Sequence, residues 1–131
     1  MGKVEANLQL EKAGERLGEA KVLLDAGYLA GSISSSYHAA LAALQSALLD
    51  KEILEATFGG VIQQFNKHFI QNSVLPGAIK TIPVELQNMN LEATDNLNSG
   101  LDKKAATSAF EMANSFYTEI KKYLDAKYKA G

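Results

Sequence analysis

Cysteine is missing from this 131-residue chain, which excludes both a disulfide framework and a metal site built on thiolates. Long hydrophobic runs are missing too, because no apolar stretch reaches the roughly 18 residues that a membrane span needs. The N-terminus lacks the basic and then apolar pattern of a secretory signal. These absences predict a cytoplasmic protein with no membrane contact.

Arginine is also scarce, since Arg16 is the single arginine among thirteen basic residues. Arginine supplies the planar fork that holds phosphate or guanine through two bonds, and lysine does not replace it there. The formal net charge is −2 and the sequence pI is about 5.7, so no strongly basic face is indicated. Nucleotide or RNA binding is therefore only weakly supported.

A helix from Tyr28 to Asp50 is the element that the rest of the chain is organised around. Its large side chains recur once per turn, which places them on one face. They are Leu29, Ile33, Tyr37, Leu41, Leu44 and Leu48. The opposite face is formed by small residues, namely Ser32, Ser35, Ser36, Ala39, Ala40, Ala42, Ala43, Ser46 and Ala47. Such a helix can contact neighbours on both sides, so we predict that it lies in the core.

The first helix is predicted from about Val4 to Asp25, with an apolar stripe spaced by three and four residues. Gly14 and Gly18 lie within it, and each costs about 1 kcal/mol relative to alanine. We expect that both glycines allow close helix–helix approach, with the small-residue face of the central helix as one candidate partner. Gly27 should end the first helix, and the short turn predicts an antiparallel hairpin.

Three more helices complete the pattern. They are predicted over 58–71, from Pro83 to about Asn98–Gly100, and from about 101 to 128. Thr57 is the expected N-cap of the first of them. The other two have apolar stripes at Leu86, Met89, Ala93 and Leu97, and at Ala105, Ala109, Met112, Phe116, Ile120 and Tyr123. With no alternating pattern typical of strands, the chain is predicted to be an all-α, antiparallel bundle of about five helices, forming one domain over 1–131.

Candidate chemistry is confined to one part of the central helix. His38 has Ser34 four residues before it and Gln45 seven after it, so the three share a polar stripe beside Tyr37. An imidazole titrates near pH 6.5 and can bind or transfer protons. Ser34, Tyr37 and His38 are therefore the candidate binding residues, while no catalytic residue is assigned, since no second group is identified.

No metal or cofactor is expected. The two histidines are thirty positions apart and do not form a recognisable ligand spacing.

The order and spacing of several segments resemble the HEPN family (higher eukaryotes and prokaryotes nucleotide-binding), particularly its short single-domain members. These segments lie at 15–20, 23–28, 34–41, 60–69, 113–117 and 120–124, and include Ser-Ser-Ser-Tyr-His-Ala-Ala-Leu at 34–41. The resemblance implies a bundle of about four to five helices, often a homodimer, and often the partner of a minimal nucleotidyltransferase in toxin–antitoxin pairs. It also implies, for active members, metal-independent ribonuclease activity from an arginine followed four to six residues later by a histidine.

This chain departs from that motif, because Arg16 precedes His38 by twenty-two residues and His68 by fifty-two. Short members carry Ser-Arg-x-Tyr-Tyr on the second helix, where this chain has Ser35 for the arginine and His38 for the second tyrosine. Phe58 stands where a histidine is expected, and Asn90, Ala93, Asp95 and Asn96 stand near an expected arginine. No catalytic residue can be carried over from the family.

The sequence therefore favours a non-catalytic or degenerate HEPN-like binding protein. The alternatives are a residual metal-independent ribonuclease or nucleotide-handling enzyme using His38, and a purely structural bundle.

Overall fold

Five α-helices make up most of the chain in the computed structural model, which describes residues 2–95 and 101–129. They are α1 (Gly2–Asp25), α2 (Leu29–Asp50), α3 (Phe58–Phe65), α4 (Ile82–Asp95) and α5 (Lys103–Lys129). A π-helical segment, Asn66–Ile70, continues α3, and a 3-10 turn, Gly77–Ile79, precedes α4. The described ranges contain no strand, and the predicted all-α bundle is confirmed. The predictions at Asn96, at Leu97 and at the helix end Asn98–Gly100 lie outside the described residues.

The α1–α2 pair is an antiparallel hairpin closed by Gly27, as predicted. Gly27 has a φ of +85°, and its amide and that of Tyr28 donate to the carbonyls of Leu24 and Leu23. Along the pair, Ala13 and Ala20 of α1 are completely buried, and the Ser32 hydroxyl donates to the Ala20 carbonyl at 2.8 Å. Small side chains therefore line the interface between α1 and α2, called the seam below, so the two backbones lie close together.

Close helix–helix approach is found at Gly14 but not at Gly18, and the suggested partner, α2, is wrong for both glycines. A Cβ at Gly14 would lie 3.2 Å from the Tyr117 hydroxyl, so Gly14 accommodates α5 rather than α2. Gly18 is exposed, and a Cβ there would meet no atom of the described residues within 4 Å. The close glycine approach to α2 is at Gly2, where a Cβ would lie 2.7 Å from the Leu49 carbonyl. Ala13 and Ala20, seven residues apart on α1, belong to the surface that faces α2. Gly14 and Gly18 lie to one side of this surface.

The two faces of α2 differ in depth of burial. All nine small residues predicted for one face are buried. On the large-residue face Ile33, Leu44 and Leu48 are buried, but Leu29, Tyr37 and Leu41 are only half-buried. One strip of the central helix is thus incompletely covered by the other described helices.

The predicted stripe of α5 is offset from the observed one. The buried residues are Ala106, Ala109, Ala113, Phe116, Ile120 and Leu124. Ala105, Met112 and Tyr123, which the spacing predicted for the core, are half-buried. Two overlapping stripes satisfy helical spacing in this segment, and the buried one presents alanines at its N-terminal half, where small side chains allow close packing.

Aromatic side chains fill the part of the core between α3, its π-helical continuation and α5. Phe65 and Phe69 are fully buried with ring centroids 5.6 Å apart, Phe116 lies 5.5 Å from Phe65, and Tyr123 meets Phe69 edge-on at 5.4 Å. The predicted helix over 58–71 is α-helical only to Phe65 and π-helical beyond it. Its N-cap is confirmed, because the Gly60 amide donates to the Thr57 hydroxyl at 3.0 Å.

Asp50 connects the C-terminal ends of α2 and α5. Its side chain is 0% exposed, and the Lys127 ammonium donates to its Oδ2 at 2.5 Å while the Tyr128 hydroxyl donates to Oδ1. The hydrogen bond to Asp50 raises the pKa of Lys127, and the same carboxylate raises the pKa of Tyr128. A carboxylate at a helix C-terminus is unfavourable to the helix dipole, so Lys127 compensates both the charge and the dipole.

Replacing Ala39 by leucine should destabilise the fold, because Ala39 is fully buried on the small-residue face. The extra side-chain volume should overpack the core and cost on the order of 1–3 kcal/mol in chemical denaturation. Ala30→Leu is the control, since Ala30 is an exposed residue of the same helix and its substitution should change stability by less than about 0.5 kcal/mol. Equal denaturation midpoints for the two variants would contradict the packing described here.

Lys127→Met should lower the free energy of unfolding by about 1–2 kcal/mol, which is below the cost of breaking a fully buried pair because Lys127 is 41% exposed. Lys122→Met is the control on the same helix, since Lys122 is 72% exposed and lies 3.8 Å from Glu119. Its substitution should have almost no effect on denaturation.

The Lys127 effect should depend on pH. The folded-state pKa values of Lys127 and Tyr128 are raised above 10.5 and 10.0, so the folded state holds both protons more tightly than the unfolded state does. Their stabilisation is therefore complete below about pH 9 and is lost as pH rises through the raised values. A difference between wild type and Lys127→Met that persists undiminished well above these values would argue against the pair.

Candidate functional site

Ser34, Tyr37 and His38 lie together on the incompletely covered strip of α2. Ser34 and Tyr37 are half-buried and His38 is exposed. The Tyr37 ring meets the His38 ring edge-on at 5.1 Å and the Phe58 ring at 6.2 Å. The Tyr37 ring is therefore a neighbour of both His38 and the first residue of α3.

Tyr37 also connects the strip to α4. Burial raises the pKa of the Tyr37 hydroxyl, and a hydrogen bond with the Gln87 side chain opposes that shift. A phenol whose pKa is raised stays protonated at neutral pH, so Tyr37 is a hydrogen-bonding group here and not a source of negative charge.

His38 is oriented by its own helix. Its Nδ1 lies 2.8 Å from the Ser34 carbonyl oxygen, which only accepts hydrogen bonds, so Nδ1 carries a proton and donates it. Nε2 then points away from this bond and remains available at an exposed position. The carbonyl of Ser34, rather than its hydroxyl, is the group that positions the ring.

Gln45, predicted to share the polar stripe with His38, is engaged elsewhere. Its Oε1 accepts a hydrogen bond from Gln9 Nε2 of α1 at 2.8 Å. The two residues border a cleft of about 200 Å³ between the end of α2, the following turn and the start of α3. The polar stripe is thus divided into a His38 region and a Gln45 region.

The cleft beside Gln45 is a feature that sequence reasoning missed. Leu49, Ile53 and Val61 line it, and Leu54 at its edge is 80% exposed. Leu54 follows a turn in which Glu52 has a φ of +59°, so the chain leaves α2 abruptly and holds this leucine away from the core. The sequence signal for this cleft was the pair Ile53-Leu54, two large apolar residues in an irregular segment.

The serines of α2 other than Ser34 take part in packing. Ser35 donates from its hydroxyl to Glu19 of α1 at 2.7 Å, and Ser32 donates to the Ala20 carbonyl. Both are buried, as is Ser36.

No metal centre is formed within residues 2–95 and 101–129, where no three carboxylate or imidazole side chains cluster as ligands. Across the same part of the chain, no helix combines the length and the hydropathy that crossing a bilayer requires.

Comparison with known proteins agrees with this architecture. Among solved structures, TT1696 from Thermus thermophilus is similar with a TM-score of 0.76 and 17% identity, over 91% of this chain and 98% of that chain. At this identity the similarity concerns the fold. No curated protein sequence matches the chain significantly. The family model for the HEPN domain matches residues 6–123, almost the whole described bundle, and the chain therefore belongs to the HEPN domain family.

Proposed function

We propose that this HEPN domain acts by binding rather than by catalysis, and that it forms a two-fold homodimer through the apolar cleft and Leu54. The observation that carries the proposal is the 80% exposure of Leu54 beside a cleft lined by Leu49, Ile53 and Val61. Gln9, Gln45 and Glu55 form the polar side of this cleft, and its apolar side and the exposed leucine are complementary surfaces on one molecule.

A two-fold axis makes such a pair self-complementary. In an isologous interface the same patch is used by both copies, so each Leu54 can enter the cleft of the other. The half-buried Leu41 and Leu49 of α2 would extend the apolar centre of this interface. HEPN domains commonly dimerise, which also supports this arrangement.

We also propose that the chain is a degenerate HEPN domain located in the cytoplasm, and that it is the partner of a minimal nucleotidyltransferase in a toxin–antitoxin-type system. Its support is the family resemblance together with the missing arginine–histidine motif. Nucleotide binding belongs to the same proposal.

Leu54→Glu should convert a dimer into a monomer, because a carboxylate at the centre of an apolar interface is desolvated without a partner. Light scattering at micromolar concentration should give twice the 14.1 kDa chain mass for wild type and a single chain mass for the variant. Val22→Glu is the control, since Val22 is 68% exposed on α1, and it should remain dimeric. A monomeric wild type would refute the dimer, and dimers lost only with Val22→Glu would place the interface elsewhere.

The same pair of variants tests the partner proposal. A nucleotidyltransferase encoded beside this chain should co-elute with wild type after co-expression. Separate elution would contradict the partnership, and loss of co-elution only in Leu54→Glu would show that dimerisation is required for it.

One observation favours the alternative of a residual ribonuclease that uses His38, namely its exposed Nε2 with the ring positioned by Ser34 and Tyr37. Under the binding proposal, purified protein should not cleave a mixed RNA pool without added metal, because no arginine precedes a histidine at the family spacing. His38→Ala is the control for contaminating nucleases. Cleavage by wild type that disappears in this variant would establish the enzyme instead.

A further inference from the structure

A groove runs along α5, where the segment that leads into α4 passes beside this helix. It consists of two depressions of about 490 Å³ each. Pro76 of that segment and Glu119 of α5 line both depressions, so the two are continuous at these residues. The groove shares no lining residue with the cleft beside Leu54 and is therefore a separate surface from the one proposed for the homodimer.

The wall that faces α5 across the groove is apolar and held in place. Leu75 and Ile79 are buried, and the Leu75 amide donates to the Phe69 carbonyl at 2.8 Å, which anchors this segment to the aromatic core. Val74, beside these anchors, is 40% exposed and lines the groove, as does the exposed Pro76. An apolar wall that is already fixed loses little conformational freedom when a partner binds to it.

One stripe of α5 forms much of the other wall. Its residues follow each other at steps of four, three and four, which places them on one helix face: Ser115, Glu119, Lys122 and Ala126. Ser115 lines one depression and Ala126 lines the other, and both are small and exposed. The two charged residues lie between these small ones, so the groove is charged at its centre and open toward both ends.

The two central charges are available to a partner. Lys122 Nζ lies 3.8 Å from Glu119 Oε1, and the side chains are 72% and 29% exposed. An exposed pair at this distance contributes little to stability, so either group can exchange it for a closer bond. A complementary partner therefore carries one acidic and one basic residue at the centre of its contact surface.

The spacing of the depressions fits a helix. Ser115 and Ala126 are eleven residues apart, which is about 16 Å along the axis of α5. Eleven residues return a helix to the same face after three turns, so a second helix beside α5 can place one large side chain in each depression. An extended chain covers this distance in about five residues, and side chains five residues apart point to opposite sides.

We propose that this groove binds an amphipathic helix of a partner protein, with large apolar residues at positions i and i+11 and one acidic and one basic residue at i+4 and i+7. The apolar residues enter the depressions at Ser115 and Ala126, and the charged residues pair with Glu119 and Lys122. This is helix-in-groove recognition, and it goes beyond the proposed homodimer. The order of the charges determines direction, since acidic before basic requires a helix antiparallel to α5 and the reverse order a parallel one.

Two synthetic peptides provide the test. Both are alanine-rich helices, cross-linked on the face away from the groove, with leucine at i and i+11. One has glutamate at i+4 and lysine at i+7, and the other has these two exchanged. Each is titrated into the full chain labelled with nitrogen-15. We expect saturable amide shifts for both peptides, concentrated over 74–79 and 114–127, whereas the absence of saturable shifts there would overturn the proposal.

A nitroxide at the N-terminus of each peptide reports its direction. The peptide with glutamate first should broaden the amide signals around Ala126, and the peptide with lysine first should broaden those around Ser115. The same direction for both peptides would show that Glu119 and Lys122 do not select the partner, which would contradict the proposed charge pairing.

Ser115→Arg should weaken the binding of both peptides about tenfold or more, because it fills the depression that a leucine would otherwise enter. Ser108→Arg is the matched control, since Ser108 is an exposed serine one heptad earlier on α5 and lines neither depression. It should leave the affinity within about twofold of wild type. Equal effects of the two variants, measured on chains with unchanged circular dichroism, would overturn the proposal.

Other occupants of the groove give different results. A peptide with the same side chains and two central prolines cannot form the helix, so binding as tight as that of the helical peptides would indicate an extended segment instead. A mass in light scattering that Ser115→Arg lowers would indicate a second copy of this chain. Leu54→Glu should bind both peptides as wild type does, so a failure of the homodimer proposal and a failure of this one are distinguishable.

Discussion

The close approach of α1 and α2 is the constraint on which the rest of the bundle depends. Alanines of α1 and alanines and serines of α2 line this seam, so the helix backbones approach each other closely along it. A seam of small residues excludes water through many short contacts, and it tolerates little added volume. It also determines the antiparallel register, since Ser32, Ser35 and Gln45 each bond to a particular residue of α1.

Because one face of α2 is used for this seam, its remaining surface packs against α5, α4 and α3. Of its large side chains, Ile33, Leu44 and Leu48 are buried, whereas Tyr37 and Leu41 are half-buried. The fully buried aromatic cluster of Phe65, Phe69 and Phe116 is formed between α3, its π-helical continuation and α5.

The polar residues of the bundle divide into structural and available groups. Asp50 is buried, paired with Lys127 and bonded to Tyr128, and these bonds occupy both of its carboxylate oxygens. His38 is exposed with one ring nitrogen fixed, and Arg16 is exposed with a long contact to Glu19. Side chains that are oriented but unsaturated are the ones available to a ligand.

Local pattern alone determined the helical class, the central position of α2, the Thr57 cap and the Gly27 turn, because these follow from helical periodicity and from backbone preferences of single residues. The candidate residues Ser34, Tyr37 and His38 could be found in the same way, as neighbours on one helix. The residues that these side chains contact in the folded chain could not be found from local pattern, and neither could the residues that Gly14 and Gln45 contact. Which of two overlapping stripes α5 buries, and whether Gly14 meets α2 or Tyr117, depend on helix rotation and register. Those are decided by packing between segments far apart in the chain, and only the tertiary structure contains them.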